Sequence, residues 1–343
     1  MSIGPYTPAP FAQPIVNPAV GSIGAPALPY LSNSQYLFAP TAVDAAHLVP
    51  GGSPPQQAQA LADTLRRASA WADNICFGTD PATKGASLAA SLAVQSGQVR
   101  IRQGLLRLVC DYKPVLEVVG IDIGFDPSNT TSVGAATAAM ARIGRRSITV
   151  PLAGSAVSRS GDSPLLPPTA GMASSVYAVW SYVSGYPHTE LVASIAAGAT
   201  TATVAATDGA GGLWGVYPAS GAFPGTQLTV ADGASTESVY VQAIAPGAAT
   251  CVLTTSPFAS AHTLAAPPDF LAVSAVPPDV TQAAISLTTM LIKTRGARAL
   301  VMPSLGGVPQ ASRQAFAQAG ALEDWDIAAK LLAPYRVHSK GVL

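Results

Sequence analysis

Histidines 47, 188, 262 and 338 are the side chains best suited to move protons near neutral pH or to ligate a metal. No two stand at HxxxH or HExxH spacing, and none has a cysteine at ligand distance in the chain. Each is expected to be a surface histidine or a hydrogen-bonded core one. Cysteines 76, 110 and 251 are odd in number and far apart, which suggests neither a disulfide framework nor a CxxC metal site and fits a reducing cytosol. The run GAGGLWG at 209–215 is not GxGxxG, lacks a GK[ST] ending and opens no helical pattern, so it reads as a loop. Asp122 and Asp126 do not make a calcium loop, since Gly124 and Pro127 occupy positions that would need ligands. SGDS at 160–163 is no nucleophile elbow. The expectation is a chain with no catalytic set, no metal and no cofactor.

The densest basic cluster is Arg142, Arg145 and Arg146, in RIGRRS, which could touch DNA or an acidic neighbour, or simply form a solvated face. Across the 343 residues, 18 Lys+Arg balance 18 Asp+Glu, so the molecule as a whole lacks the positive field that grips nucleic acid. No Lys or Arg falls between Arg159 and Lys293, whereas Asp162, Glu190, Asp208, Asp232, Glu237, Asp269 and Asp279 do. Such an acid-only middle could line a passage through which DNA slides without sticking. Only 10% of residues are charged and 49% are hydrophobic, a balance that implies large faces covered by neighbouring subunits, or else a low-charge secreted protein. Before Asp44 there is no cation and no continuous apolar run, so neither a signal peptide nor a membrane helix is expected.

The elements that would hold these residues are organised around 277–302. Val280, Ala284, Leu287 and Leu291 recur at helical spacing behind Pro277-Pro278-Asp279, and the pattern predicts a core helix running to a stop at Gly296. A second core helix is predicted behind Ser53 and Gln56, a capping box, with Leu61, Leu65, Ala68, Ala72 and Ile75 inward and Arg66, Arg67 and Asp73 on a solvated face. QVRIRQGLLRLVC reads as a hairpin turning at Gln103-Gly104, and VLEVVGIDIGF as another strand pair; 126–146 is ambiguous. From 186 to 276 short alternating runs predict a small antiparallel barrel or sandwich, including Leu228 and Val230 against Val239 and Val241 across an Asp-Gly turn. Within it IAAGATTATV (195–204) echoes IAPGAATCVL (244–253).

The fold class expected is therefore α+β: a helical and hairpin core (31–185 and 277–318) carrying an inserted β domain (186–276), with a proline-rich arm (1–30) and a C-terminal segment (319–343). The arm lies along an adjacent subunit or is a loose terminus. In the C-terminal segment Trp325, Ala328, Ala329 and Leu332 share a helix face that Pro334 ends; the helix docks on a partner or packs on its own subunit.

Taken in order, YLSNSQYLFAPTAVD, VPGGSPPQQAQALADTLRRASAWADNIC, QVRIRQGLLRL, YKPVLEVVGIDIGFDPSN, GYPHTELVASIAAGATTATV, PGTQLTVADGASTESVYV, PPDVTQAAISLTTMLIKTRGARAL and LLAPYR resemble the head-to-tail connector (adaptor) proteins of long-tailed bacteriophages. The resemblance covers roughly 30–336. It implies a connector-type helical core with a β insertion and a homo-oligomeric ring of twelve subunits beneath the portal, in the virion neck, made in the host's bacterial cytoplasm. DNA would pass through the centre without sequence-specific binding, and a tail-completion or stopper protein would follow. It also implies that Trp325, Leu331, Leu332, Pro334, Tyr335 and Arg336 dock on the portal. The proline-rich arm departs from the family's pattern. A different class of function is a binding module whose β domain recognises carbohydrate or a host surface, with Trp214, Tyr217 and Phe223 as a sugar platform or as core.

Overall fold

The computed structural model describes residues 28–41, 43–78, 87–102, 104–124, 126–133, 138, 140–152, 175–205, 226–232, 235–245, 250–264, 267–294 and 321–336. The chain divides by contacts into two units, one holding Ala90–Gly185 and the other Tyr186–Leu343 together with the residues leading up to Ala89. Mixed α+β architecture holds for the whole, with two curled antiparallel sheets, one in each unit.

Helix formation follows local chemistry. Helix α1 (Asn33–Phe38) starts at Ser32, whose hydroxyl accepts from the Gln35 amide while the Gln35 side chain returns to the Ser32 N–H. Asp269 then accepts from the Asn33 and Ser34 amides at 2.8 and 3.1 Å and from the Ser34 hydroxyl, satisfying donors that a helix start leaves open. Helix α2 (Pro54–Phe77) begins with two prolines, where missing amides cost nothing, and Gln56 reaches back to the Ser53 N–H at 2.8 Å. Its apolar line, Leu61, Leu65, Ala68, Ala72 and Ile75, is buried.

The unit holding Ala90–Gly185 contains β1 (Ser91–Arg102), β2 (Leu105–Val109), β3 (Val115–Gly124), β4 (Thr130–Ser132), β5 (Arg142–Gly144), β6 (Ser147–Pro151) and β7 (Ser175–Ser184). They form one sheet in the order β4-β3-β7-β1-β2-β6-β5. The β1/β2 hairpin pairs Ile101 with Leu106 and Arg102 with Leu105, and Gly104, at φ +72°, takes the left-handed position the turn requires. The sheet curls until the Val115 N–H, at the start of β3, donates to the Arg145 carbonyl beside β5 (3.4 Å). Alternate residues fill the inside, among them Leu106, Leu108, Ile121, Ile148, Val150, Trp180 and Tyr182. VLEVVGIDIGF is not a strand pair: Val115–Gly124 is one strand along β7, and the register shifts between Val118 and Gly120 rather than turning. The ambiguous 126–146 stretch supplies the short strands β4 and β5.

The other unit carries β8 (His188–Glu190), β9 (Thr201–Ala205), β10 (Gln227–Ala231), β11 (Thr236–Ala245), β12 (Thr250–Thr255) and β13 (Ala272–Ser274), in the order β8-β13-β10-β11-β12-β9. An antiparallel bridge between Leu191 and Val204 brings the chain just beyond β8 back to β9, so this sheet curls toward closure. The two echoed segments contribute β9 and β12, which pair with each other, Val204 opposite Cys251 and Ala202 opposite Leu253. Leu228 opposes Val239 across the Asp-Gly turn, as the alternation predicts. The core is Val204, Leu228, Val230, Val239, Val241, Leu253 and Phe258.

Helices α3 (Pro278–Lys293) and α4 (Ala321–Leu332), with a 3-10 turn at Ala333–Tyr335, belong to this unit and pack with α2. Val280, Ala284, Leu287 and Leu291 are buried, as their spacing predicts. The helix stops earlier than Gly296: at Thr294, the C-cap, the amide donates to the Met290 carbonyl at 2.9 Å, and the hydroxyl donates to the same carbonyl at 2.8 Å and approaches that of Leu291 at 3.3 Å, satisfying carbonyls at the helix end. The boundaries also differ from the sequence reading. The excursion that leaves and returns is Ala90–Gly185, between Ala89 and Tyr186, which are joined by a parallel bridge; the 186–276 barrel shares a unit with the helices. Residues 295–318 of the expected helical core lie outside the described residues.

Leu287 is wholly enclosed where α3 faces its neighbours. Replacing it with Ala is expected to lower stability by about 2–5 kcal/mol, read as a drop in the urea midpoint with an unchanged m-value; a change under about 1 kcal/mol would mean that the helix is not packed as described.

Candidate functional site

A buried polar cluster surrounds Tyr30. Its hydroxyl donates to Asp73 Oδ1 at 2.6 Å, accepts from the Leu88 and Ala89 amides at 3.0 and 3.3 Å, and lies 2.9 Å from the Ser87 hydroxyl. The Tyr30 ring meets His188 with centroids 5.7 Å apart. The Pro29 carbonyl only accepts, so His188 Nε2, 3.0 Å away, donates; Nδ1 then accepts from the Ser274 hydroxyl at 2.9 Å. Ser274, His188, Tyr30 and Asp73 resemble a catalytic relay in residue type. Yet His188, Tyr30 and Asp73 are buried, and the polar atoms just named bond to one another or to backbone. Burial pushes Asp73 up to about 7, against the hydrogen bonds from Tyr30, Leu88 and Ser87, and pushes His188 down to about 4. The arrangement clamps chain segments together.

Asp73 thereby corrects the expectation of a solvated side chain. It follows Leu65 and Ser69 at four-residue steps along one line of α2, and Ser69 accepts from the Tyr30 N–H at 3.0 Å. Donors arriving from distant parts of the chain made its burial possible, and only the Ser69/Asp73 spacing hinted at it.

A second cluster holds His262. Nδ1 lies 3.0 Å from Asp232 Oδ2 and Nε2 lies 2.8 Å from Glu237 Oε1, with the ring fully buried. Both ring nitrogens therefore face a carboxylate oxygen, one from each side of the ring. Burial acts to raise Asp232, but the Ser235 amide, His262 and the Ser235 hydroxyl outweigh it and hold the carboxyl below its usual range. Glu237 also accepts from the Ala259 and Ser260 amides at 2.8 and 3.2 Å, so the cluster fastens the 256–264 loop to the β10/β11 turn. His47 is exposed on Asp44, and His338 lies outside the described residues.

The arginine triplet does not form one patch. Arg142 is exposed on edge strand β5 and Arg145 is exposed in the following turn, while Arg146 folds toward the Cys110 carbonyl, with Nε 3.4 Å away. Arg142 instead shares a sheet face with Arg107, both flanking Thr149 in register. Arg100 and Arg102, exposed on β1, continue that face. Sequence alternation marked Arg100 and Arg102 as outward; bringing Arg107 and Arg142 alongside them took the β2-β6-β5 register.

Of the C-terminal residues, Leu332 is fully buried, Trp325 meets Trp71 edge-on at 5.9 Å, and Tyr335 meets Tyr186 at 6.1 Å. Lys293 Nζ binds Asp324 Oδ2 at 2.8 Å, tying α3 to α4. Leu331 and Arg336 are half-buried and Pro334 is exposed. The largest adjacent pair of exposed apolar side chains among the described residues ends α1: Leu37 is 56% and Phe38 68% exposed. Trp214, Tyr217, Phe223 and the 209–215 loop lie outside the described residues.

No family model, curated protein or solved structure matches this chain. A functional reading therefore rests on its own residues and on the resemblance drawn from them. No helix among the described residues is long and apolar enough to cross a membrane.

The Tyr30 cluster sets a pH signature. A raised Asp73 contributes stability that is full below the ordinary carboxylate pKa and lost as pH climbs toward about 7. A depressed His188 contributes stability that is full above the ordinary imidazole pKa and lost as pH falls toward about 4. Between those limits the two slopes oppose. Asp73→Asn should make stability rise with pH by about 1.4 kcal/mol per unit relative to wild type, and His188→Gln should make it fall by a similar amount. Urea melts at several pH values from 4.5 to 6.5 decide it; variants that both track the wild-type profile would refute the assignment.

Proposed function

We propose that the chain is a structural virion subunit that assembles with copies of itself into the ring joining the portal to the tail in a bacteriophage neck, around the path of the exiting DNA. The observation that carries this reading is the exposed Leu37/Phe38 pair on a chain in which one residue in ten is charged. That pair is rigidly presented. Asp269 caps α1 on one side, and the Tyr36 hydroxyl reaches Thr289 Oγ1 on α3 at 3.0 Å on the other. Covering both side chains is worth about 2–4 kcal/mol per contact, repeated at every subunit boundary of a ring.

The ordered resemblance across 30–336 supports the same reading, as does the use of the described histidines in fastening loops and segments. On this reading, α2, α3 and α4 are the connector-type core, and the curled 186–276 sheet belongs to the same unit. Leu331, Pro334 and Arg336 keep surface for a portal, whereas Leu332 serves the subunit's own core. The downstream partner is a tail-completion or stopper protein.

Mass photometry of the purified chain at micromolar concentration is the direct test. The expected result is a discrete high-mass species near twelve subunits, which Leu37→Asp with Phe38→Asp shifts toward monomer while the circular dichroism melt is retained. A chain that stays monomeric at ~100 µM, and is missing from the neck in images of intact particles, would end the proposal.

A further inference from the structure

We propose that the outer face of the β4-β3-β7-β1-β2-β6-β5 sheet is a binding surface for the phosphate backbone of duplex DNA, gripped by Arg100, Arg102, Arg107 and Arg142. Each arginine is exposed, and Arg100 and Arg107 are flanked along their strands by side chains that turn inward, Val99 and Ile101, and Leu106 and Leu108. Register fixes how they lie. Arg107 opposes Thr149, and Thr149 opposes Arg142, so the two arginines stand on one face two strands apart, about 10 Å. Arg102 opposes Leu105 on that face, and continuing the Ile101–Leu106 pairing by one step sets Arg100 beside Arg107.

Like charges facing each other across strands destabilise a sheet unless something neutralises them. Among the described residues the ion pairs involve none of these four. Among the described residues the acids of the unit are placed elsewhere: the Gln95 side chain and the Asp111 side chain and amide bond to each other, Asp126 accepts from Ser128, and Glu117 opposes Val183 beyond β1. Asp122 does share the face, in the row of Val179 and Ser96, but it lies four residues along and two strands over from Arg100, roughly 17 Å away. That separation exceeds the Debye length at physiological salt, about 8 Å.

Four arginines on one face, carried by three strands with Arg107 and Arg142 about 10 Å apart, suit a partner whose phosphates repeat. The uncharged members, Thr149 and Gln98 with Tyr177 opposite it, are donors suited to phosphate and sugar. A curved sheet of this kind offers no helix to enter a groove, so contact would be independent of sequence. The choice of DNA among polyanions rests on the neck-ring reading; the arginine surface does not. By contrast, the strand region of the other unit carries no Lys or Arg between 188 and 274.

The test is fluorescence anisotropy of a 20-base-pair duplex titrated with the full chain, from 25 to 200 mM salt. Neutralising about four phosphates gives a slope of log affinity against log salt of about −3 to −4. Arg107→Gln with Arg142→Gln should reduce that slope by about 2 and weaken binding at least about tenfold at low salt, while Arg66→Gln on α2 leaves both unchanged. These side chains are exposed, and unchanged melting curves verify that each variant is folded. No binding at 25 mM salt, or a slope indifferent to the double variant, overturns the proposal. So does a salt-sensitive self-association lost in the same variant without DNA binding, which would make the face a subunit contact. Mass photometry on the same samples keeps the two readings apart: a monomer with arginine-dependent binding retains the surface and loses the ring, and an assembled ring that ignores DNA does the reverse.

Discussion

The hydroxyl of Tyr30 is the atom on which the described helical unit converges. It gathers Asp73 from α2 and the Ser87–Ala89 approach to the sheet-bearing excursion, while the ring above it leans on His188 at the start of the barrel. These stretches are distant in sequence, and a hydrophobic contact alone would leave their relative register loose. A buried hydrogen-bonded group is directional: displacing any one member strands the others without partners, at roughly 1–3 kcal/mol each. The clamp also avoids the cost of a buried ion, since between about pH 4 and 7 both His188 and Asp73 sit in their uncharged forms. Ala89 and Tyr186, where the chain leaves this unit and returns, lie immediately beside it.

What could be read from the sequence was whatever depends on near neighbours. The period of Val280, Ala284, Leu287 and Leu291 specified a buried helix face because helix geometry is local, and the Ser53/Gln56 box specified the start of α2 for the same reason. Alternation set Leu228 and Val230 against Val239 and Val241, and the short turn fixes the register so that Leu228 does face Val239 while Val230 faces Glu237. The end of α3 was misplaced by attention to glycine, when a threonine hydroxyl two residues earlier satisfies the last carbonyls. The candidate sites were less legible. Asp73 is indistinguishable from a surface aspartate until Tyr30 and Leu88 arrive from other parts of the chain. Arg107 and Arg142 become neighbours only through β6, a pairing between strands more than thirty residues apart.

The barrel and the arginine-bearing sheet illustrate two uses of a small number of charges. In the barrel, acids are put to internal work: Asp232 and Glu237 hold His262, and Asp269 caps α1. Charged groups matched in this way fix loops and have little field left to attract a partner. On the other sheet four of the molecule's 18 cations stand on one face outside any ion pair among the described residues. A chain this sparing of charge gains nothing in fold stability from that arrangement, since cross-strand repulsion works against it.

The apolar end of α1 and the cationic sheet therefore call for different partners. Leu37 and Phe38 gain by excluding water against another apolar surface, and a phosphate brought there would lose its hydration for no return. The arginines gain by displacing counterions around a polyanion, and an apolar surface laid over them would strand their charge. One surface is insensitive to moderate salt and the other is governed by it. On the neck-ring proposal, such a molecule would hold its own copies through the first surface, while its grip on a moving polyanion through the second would stay weak enough at physiological ionic strength to be broken and remade.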